Sequence, residues 1–287
     1  VLVSVALVSM VRDEADNIPR LADSVLGLVD SYVFLDTGSQ DNTIDVIKKE
    51  FHGLPGHINE TQWVDFSTNR NQLLDLAKNQ ADWLLLLDAD HTAEWHEALP
   101  EWLNEQTDPG FMVPVKEPGL KWHMPYLVAG DRDWAYKGST HEVLTPLPQM
   151  RPLLGLTINH HADGAHRPEK FERDLGLLLK EIEIDPTDPR PVFYLAQTMR
   201  DMGRTEEAIE RYRQRAAMED TWEPERWYAQ YQASLLRGDW TGLVDAFNAR
   251  PTRAEPLRAI AIWANQLADR IPQPDDLFVE PQAYRGW

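Results

Sequence analysis

The stretch Trp83-Leu84-Leu85-Leu86-Leu87-Asp88-Ala89-Asp90-His91 sets four leucines directly against two carboxylates one residue apart. An apolar run without alternation reads as a strand covered on both faces, the habit of parallel sheets, whereas a half-exposed strand alternates apolar and polar residues. In open α/β sheets ligands gather at the carboxyl ends of the strands, so Asp88 and Asp90 stand where a site is expected. Alternate residues of an extended segment point the same way. Two carboxylates held side by side repel each other unless a cation lies between them, and hard oxygen donors suit Mg2+ or Mn2+. An ordinary strand-to-loop turn, where aspartate is common, accounts for the doublet equally well on its own.

The segments around this run alternate in type. Val3 to Val11 reads as a strand, Asn17 to Leu28 as a helix, Ser31 to Leu35 as a strand and Asn42 to Phe51 as a helix. That βαβα order marks a parallel sheet with right-handed crossovers. A further helix is predicted from Thr68 to Asn79 with Ser67 as its N-cap. After Asp90 the prolines at 100, 109, 114, 118 and 125 break any long helix, and FMVPV (111–115) and YLVAG (126–130) read as strands flanking an acceptor cleft. From Phe171 onward the chain turns helical and charged. Sliding it by 35 residues superposes Phe193 on Tyr228 and Trp263, Gly203 on Gly238, Ala208 on Leu243, and Tyr212 on Phe247. The expected architecture is a Rossmann-like, mostly parallel α/β sheet over residues 1–165, followed by an all-α repeat domain over 166–287.

Composition narrows the function. With 287 residues, 43% of them hydrophobic, the chain can bury one large core or two smaller ones, and two domains are expected. It has no cysteine, which removes disulfides and thiolate metal sites and fits a reducing, cytoplasmic setting. A formal charge of −19 argues against an extended duplex-binding face. The opening VLVSVALVSMV is too short to span a bilayer and lacks a basic flank, so no membrane span is expected. No phosphate loop of the form GxxxxGK[ST] is present, which disfavours nucleotidyl transfer.

The segments VSMVRDEADNI (8–18), VFLDTGSQDNT (33–43), WVDFSTNRNQLLDLA (63–77) and DWLLLLDADH (82–91), in this order and spacing, resemble the family 2 glycosyltransferases of the GT-A fold. YLAQTMRDMGRTEEAIERY (194–212) resembles a tetratricopeptide repeat, a helical hairpin closed by glycine. With YKGSTHEVL (136–144), the whole chain looks like the subgroup carrying such repeats after the transferase domain.

The resemblance implies a nucleotide sugar as co-substrate and a divalent cofactor, Mn2+ or Mg2+. It implies that Asp36 bonds the uracil or other base, that Met10, Arg12 and Glu14 border the nucleotide, and that Arg70 reaches the nucleotide and its phosphates, with Asp65 and Asn71 bracing its helix. It also implies that Asp88 meets ribose and metal and that Asp90 binds metal. His91 departs from the family pattern, in which an acidic residue is frequent there. Many GT-A enzymes add a histidine to the metal shell from the region of TINHHADGAHRPEKFER (157–173). His161 is the first choice and His160 the second, because adjacent residues of an extended chain point opposite ways. His166, Arg167, Lys170 and Arg173 supply positive charge for a diphosphate.

Inverting transfer needs a base to deprotonate the acceptor. Glu142 is assigned to it, with His141 as neighbour or substitute and Asp131 and Asp133 in reserve; a retaining enzyme needs none. The expected function is metal-dependent transfer of a sugar from a UDP-linked donor to a protein side chain or a glycan. A modified nucleic-acid base as acceptor, or a non-catalytic repeat scaffold with a decayed transferase domain, are the alternatives.

Overall fold

The computed structural model describes residues 3–163, 170–219 and 222–268. The chain divides into two compact units, Val1–Glu181 and Ile182–Trp287. The first opens with β1 (Val5–Val11), α1 (Ile18–Val25), β2 (Ser31–Asp36), α2 (Thr43–Glu50), β3 (Gly56–Glu60), α3 (Phe66–Ala77) and β4 (Trp83–Leu86). It continues with β5 (His91–Trp95), α4 (Leu99–Leu103), β6 (Gly110–Glu117), β7 (Leu120–Ala129), β8 (Ala135–Lys137), β9 (Val143–Thr145), β10 (Arg151–Pro152), β11 (Leu156–His160) and α5 (Lys170–Ile184).

The main sheet runs β3-β2-β1-β4-β7-β6-β11-β5, with β10 beside β6. The first four strands are mutually parallel; β7 then pairs antiparallel to β4, β6 antiparallel to β7, β11 parallel to β6, and β5 antiparallel to β11. The strands FMVPV and YLVAG therefore extend the main sheet itself. The leucine run is buried on both sides, as its lack of alternation predicts. Leu85 and Leu87 enter the core beneath α1 and α2 with Leu7, Ile18, Leu21 and Ile47, while Leu84 and Leu86 enter the core beneath α3 with Val8, Val33, Leu73 and Leu74. Sheets covered this way stack their strand ends in one row, and β1, β2 and β4 deliver Arg12, Asp36 and Asp88 to the same edge.

Two local expectations are corrected. Asp65, not Ser67, caps α3: its extended backbone lets Oδ1 accept from Thr68 N at 2.7 Å, and the Ser67 hydroxyl donates to the same carboxylate. The first helix stops at Val25, because Gly27 turns the chain with φ +93°.

The second unit holds α6 (Pro189–Asp201), α7 (Thr205–Ala217), α8 (Glu223–Arg237), α9 (Trp240–Ala249) and α10 (Glu255–Ala268), each packed on the next. Gly203 (φ +76°) and Gly238 (φ +72°) close the turns after α6 and α8, where a side chain would be strained. The repeat positions Phe193, Ala208, Tyr212 and Leu243 are buried. Among the described residues, no helix is long and apolar enough to cross a membrane.

Candidate active site

The site is built on the carboxyl ends of β1, β2 and β4. Asp36 ends β2 and is 1% exposed. The tight turn Thr37-Gly38-Ser39 wraps back so that Gly38 N and Ser39 N both donate to Asp36 Oδ1 at 2.8 Å. Oδ2 is buried with no hydrogen-bond partner among the described residues. A buried carboxylate oxygen left this way is costly unless a donor arrives to fill it. The loop after β1 is fastened to this turn: Asp13 N donates to Ser39 Oγ, Gln40 N to Asp13 Oδ1, and Glu14 N to Thr43 Oγ1. Arg12 and Glu14 thus stand on a fixed loop at the same edge as Asp36, and Met10 lies half-buried in β1 just before them.

Arg70 projects from α3 into the gap between β4 and β9. Its Nε donates to Glu142 Oε1 at 2.6 Å, and its Nη2 donates to Asp88 Oδ1 and Oδ2 at 2.9 and 3.0 Å. The guanidinium lies 5.4 Å from the centre of the Tyr136 ring. Burial works against its charge, but Asp88 and Glu142 outweigh that and raise its pKa. Burial also pushes the Tyr136 phenol up to about 12. Asn71 locks α3 to β8 by exchanging two bonds with the Tyr136 backbone, at 3.0 and 2.6 Å. Glu142 therefore reaches the site through one arginine, while His141 beside it is exposed and holds φ +52°.

Asp90 faces the far half of the sheet. Its Oδ2 lies 3.2 Å from His160 Nε2, and His160 Nδ1 lies 3.3 Å from Glu117 Oε2. One ligand atom from each of Asp90, His91 and His160 falls within a 4.8 Å cluster. Burial disfavours the Asp90 carboxylate, yet the His160 hydrogen bond and the nearby imidazoles hold its pKa below the ordinary value. The same bond to Asp90, against burial and with help from Glu117, raises His160. His91 is lowered, chiefly by burial, and its Nδ1 accepts the Asp88 N–H at 3.1 Å. With Nδ1 accepting, Nε2 carries the ring proton of the neutral imidazole. His91 accordingly ties down the turn after β4 through the Asp88 N–H.

A divalent ion fits the Asp90–His160 pair. The two offer a carboxylate oxygen and an imidazole nitrogen 3.2 Å apart, a donor set that suits Mn2+. Of the adjacent histidines, the structure brings His160 to Asp90. His161 is exposed, and its Nε2 lies 2.9 Å from Thr92 Oγ1. The two do point opposite ways, but the pairing of β11 with β5, which sets His160 opposite His91, turns His160 to the site. Asp88 stands outside the cluster, with both oxygens on Arg70.

Other expected residues lie elsewhere. Asp131 and Asp133 follow β7, whose Ala129 pairs with Trp83 at the start of β4, so they sit a strand length from Asp88, and Asp133 bonds Lys78. Lys170 is exposed at the start of α5. Arg173 bonds Asp174 and stacks on Phe66. His166 and Arg167 lie outside the described residues. Three participants escaped sequence reasoning: Glu117, Tyr136, and Arg20, whose Nη1 and Nη2 hold Asp163 at 2.9 and 2.6 Å and so tie the segment after His160 to α1. Each acts through a partner distant in sequence, and no local pattern announces it.

Residues 7–116 match Glycosyl transferase family 2, so the chain carries a family 2 glycosyltransferase domain followed by a helical region. It is 28% identical over 92% of its length to a TPR repeat-containing protein of Synechococcus elongatus, covering 70% of that protein. It is 22% identical over 70% of its length to the prophage-derived glycosyltransferase SunS of Bacillus subtilis, covering half of that protein. Among solved structures, S. aureus TarS residues 1–349 with UDP-GlcNAc aligns over 85% of this chain and 89% of that one, at 13% identity and a TM-score of 0.45. Glucosyl-3-phosphoglycerate synthase of Mycobacterium tuberculosis, with Mn2+, UDP and its product, aligns over 40% of this chain and 43% of that one, at 20% identity and a TM-score of 0.29.

Proposed function

We propose that this protein transfers a sugar from a UDP-linked donor to a protein side chain or a glycan, with a divalent cation, Mn2+ or Mg2+, held by Asp90 and His160. The observation that carries the reading is the Asp90 Oδ2–His160 Nε2 pair, 3.2 Å apart at the end of the sheet where ligands collect. The cation stabilises the negative charge that the leaving diphosphate gains as the glycosidic bond breaks. Asp36 Oδ2, buried and without a partner among the described residues, accepts the ring N–H of uracil. Arg12 and Glu14 border the nucleotide from their fastened loop. Arg70 holds Asp88 toward the ribose and Glu142 toward the acceptor.

Glu142 serves as the base of an inverting reaction. Its Oε1 is engaged by Arg70, and its Oε2 makes no bond among the described residues. Residues 1–165 hold donor and metal, and the helices of 166–287 recruit the acceptor, as repeat surfaces do with extended ligands. Absence of cysteine supports cytoplasmic operation.

The test is release of free nucleoside diphosphate from UDP-, GDP- and ADP-linked sugars, with Mn2+ or with chelator. The expected result is UDP release that needs Mn2+ and is lost in Asp90→Ala. Full release in excess chelator overturns the metal assignment, and failure of every nucleotide sugar to bind overturns the donor assignment.

A further inference from the structure

Three neighbouring strands put three side chains in a row. β11 lies between β5 and β6. Its pairing with β5 sets His160 opposite His91. Its pairing with β6 sets Ile158 beside Val115 and Asn159 beside Lys116, so the next residues along, His160 and Glu117, come level at the ends of their strands. Side chains at matching positions of adjacent strands share a face. The His160 ring is therefore flanked by His91 on one side and Glu117 on the other. The His91 ring meets it edge-on at 5.1 Å and 80°, and the Trp122 ring does so at 6.3 Å and 90°. These contacts fix the plane of the imidazole. What remains is which nitrogen faces Asp90, and Glu117 Oε2, 3.3 Å from Nδ1, decides it.

We propose that Glu117 is a positioning residue for the metal centre: it accepts the Nδ1–H of His160 and so presents the Nε2 lone pair to a divalent cation shared with Asp90. The inference rests on the metal-dependent reading of this site and adds a residue outside the acidic doublet and the histidine pair. A carboxylate behind a ligating imidazole fixes its tautomer and ring orientation and raises its basicity as a ligand. Glu117 is suited to that work. Its side chain is 30% exposed, it ends β6 just before the turn at Pro118-Gly119, and its one bonded partner among the described residues is His160. Nothing in the packing of β6 needs a carboxylate there. The inward residues Phe111, Val113 and Val115 fill the core without it.

The two roles available to Glu117 differ in what they predict. A structural ion pair at this exposure contributes little to stability and nothing specific to metal affinity. A group that orients a ligand changes metal affinity, and it does so only while the ligand is present. The experiment is Mn2+ titration of the whole protein in the presence of UDP, followed by calorimetry or by the Mn2+ electron paramagnetic resonance signal. The proteins are wild type, Glu117→Ala, Glu117→Gln, His160→Ala and the Glu117→Ala/His160→Ala double variant. Loss of an outer carboxylate of this kind typically weakens metal binding about 10- to 100-fold. Glu117→Ala is expected in that range. Glu117→Gln should fall between it and wild type, because the amide oxygen still accepts the N–H but carries no charge. UDP affinity without metal should be the same in all five proteins, which separates loss of orientation from loss of fold.

The double variant is the decisive member. If Glu117 acts through His160, removing it from His160→Ala should change Mn2+ affinity no further. Wild-type Mn2+ affinity in Glu117→Ala overturns the inference and leaves the metal reading standing. So does a further loss in the double variant, since Glu117 then acts without the histidine. Failure of the wild-type protein itself to bind Mn2+ with UDP removes the metal reading and this inference together.

Discussion

Replacing Arg70 with methionine keeps the apolar stem and deletes the guanidinium, and the structure states what is left behind. Glu142 loses a partner at 2.6 Å, and Asp88 loses a donor shared by its two oxygens at 2.9 and 3.0 Å. The Arg70 side chain is 16% exposed and that of Glu142 13%, so this half of the cluster behaves as a buried pair. Breaking a buried pair by removing one partner costs about 3–5 kcal/mol, because the other charge is stranded. Asp88 is 37% exposed, recovers water, and adds little. The expected loss is therefore at the low end, about 3 kcal/mol. For a unit of this size each kcal/mol moves the midpoint by about 2–4 °C, so melting should fall by about 6–12 °C. Urea unfolding followed by tryptophan fluorescence, beside thermal melting at pH 7, measures it. Adding Glu142→Gln to Arg70→Met should recover part of the loss, since a neutral amide no longer needs a counter-ion. A loss under about 1 kcal/mol, the range of an exposed pair, or no recovery in the double variant, refutes the reasoning.

Asp36→Asn should weaken UDP binding, because the amide can turn a donor toward the base N–H where Oδ2 now offers only acceptance; thermal stabilisation by UDP, GDP and ADP checks it, and equal stabilisation by all three in the wild type removes Asp36 as a base reader. In chelator, His160 and His91 should act in opposite senses. His160, raised in the fold, contributes stability present below about pH 6.5 and lost as pH rises through its folded pKa; His91, lowered, contributes stability present above about pH 6.5 and lost as pH falls toward its folded pKa. The advantage of wild type over His160→Gln in urea midpoint should thus be greatest near pH 5–6 and shrink toward pH 9, and a difference constant with pH counts against the ion pair. Gln197→Ala and Arg200→Ala, at half-exposed positions of α6, should raise the acceptor KM and spare donor hydrolysis; a parallel fall in both would make the helices support for the catalytic unit.

What could be read from the chain in advance was whatever is decided locally. The leucine run betrays a strand buried on both faces because burial removes alternation within the run itself. The strand that ends at Asp36 is legible in the same way, whereas the role expected of Asp36 came from the resemblance to a family. The α3 cap was less legible: Asp65 and Ser67 both have the right chemistry, and only backbone geometry picks between them. Positions set by pairing between distant strands were hidden. Asp131 and Asp133 looked usable until β7 proved to run antiparallel to β4 and carried them to the wrong end. Period-two alternation says that one of His160 and His161 faces inward; only the ladder with β5 says which. β3 and β5, as GHINE and HTAEW, carry no apolar run at all and owe their form to their neighbours.

The β5–β11 ladder works like a reading frame. Its letters are His91 and His160, and a slip of one residue would offer Asn159 or His161 in place of the histidine that meets Asp90. Gains or losses of residues in the loops around Arg151–Pro152 can be absorbed before β11 begins, whereas a single deletion inside Leu156–His160 would turn its side chains to the opposite face. The same frame governs comparison with relatives. At 22–28% identity two adjacent histidines are easily aligned one position out. The equivalent residue in another chain is then the one that lies across the ladder from the residue following the acidic doublet, whatever letter stands beside it.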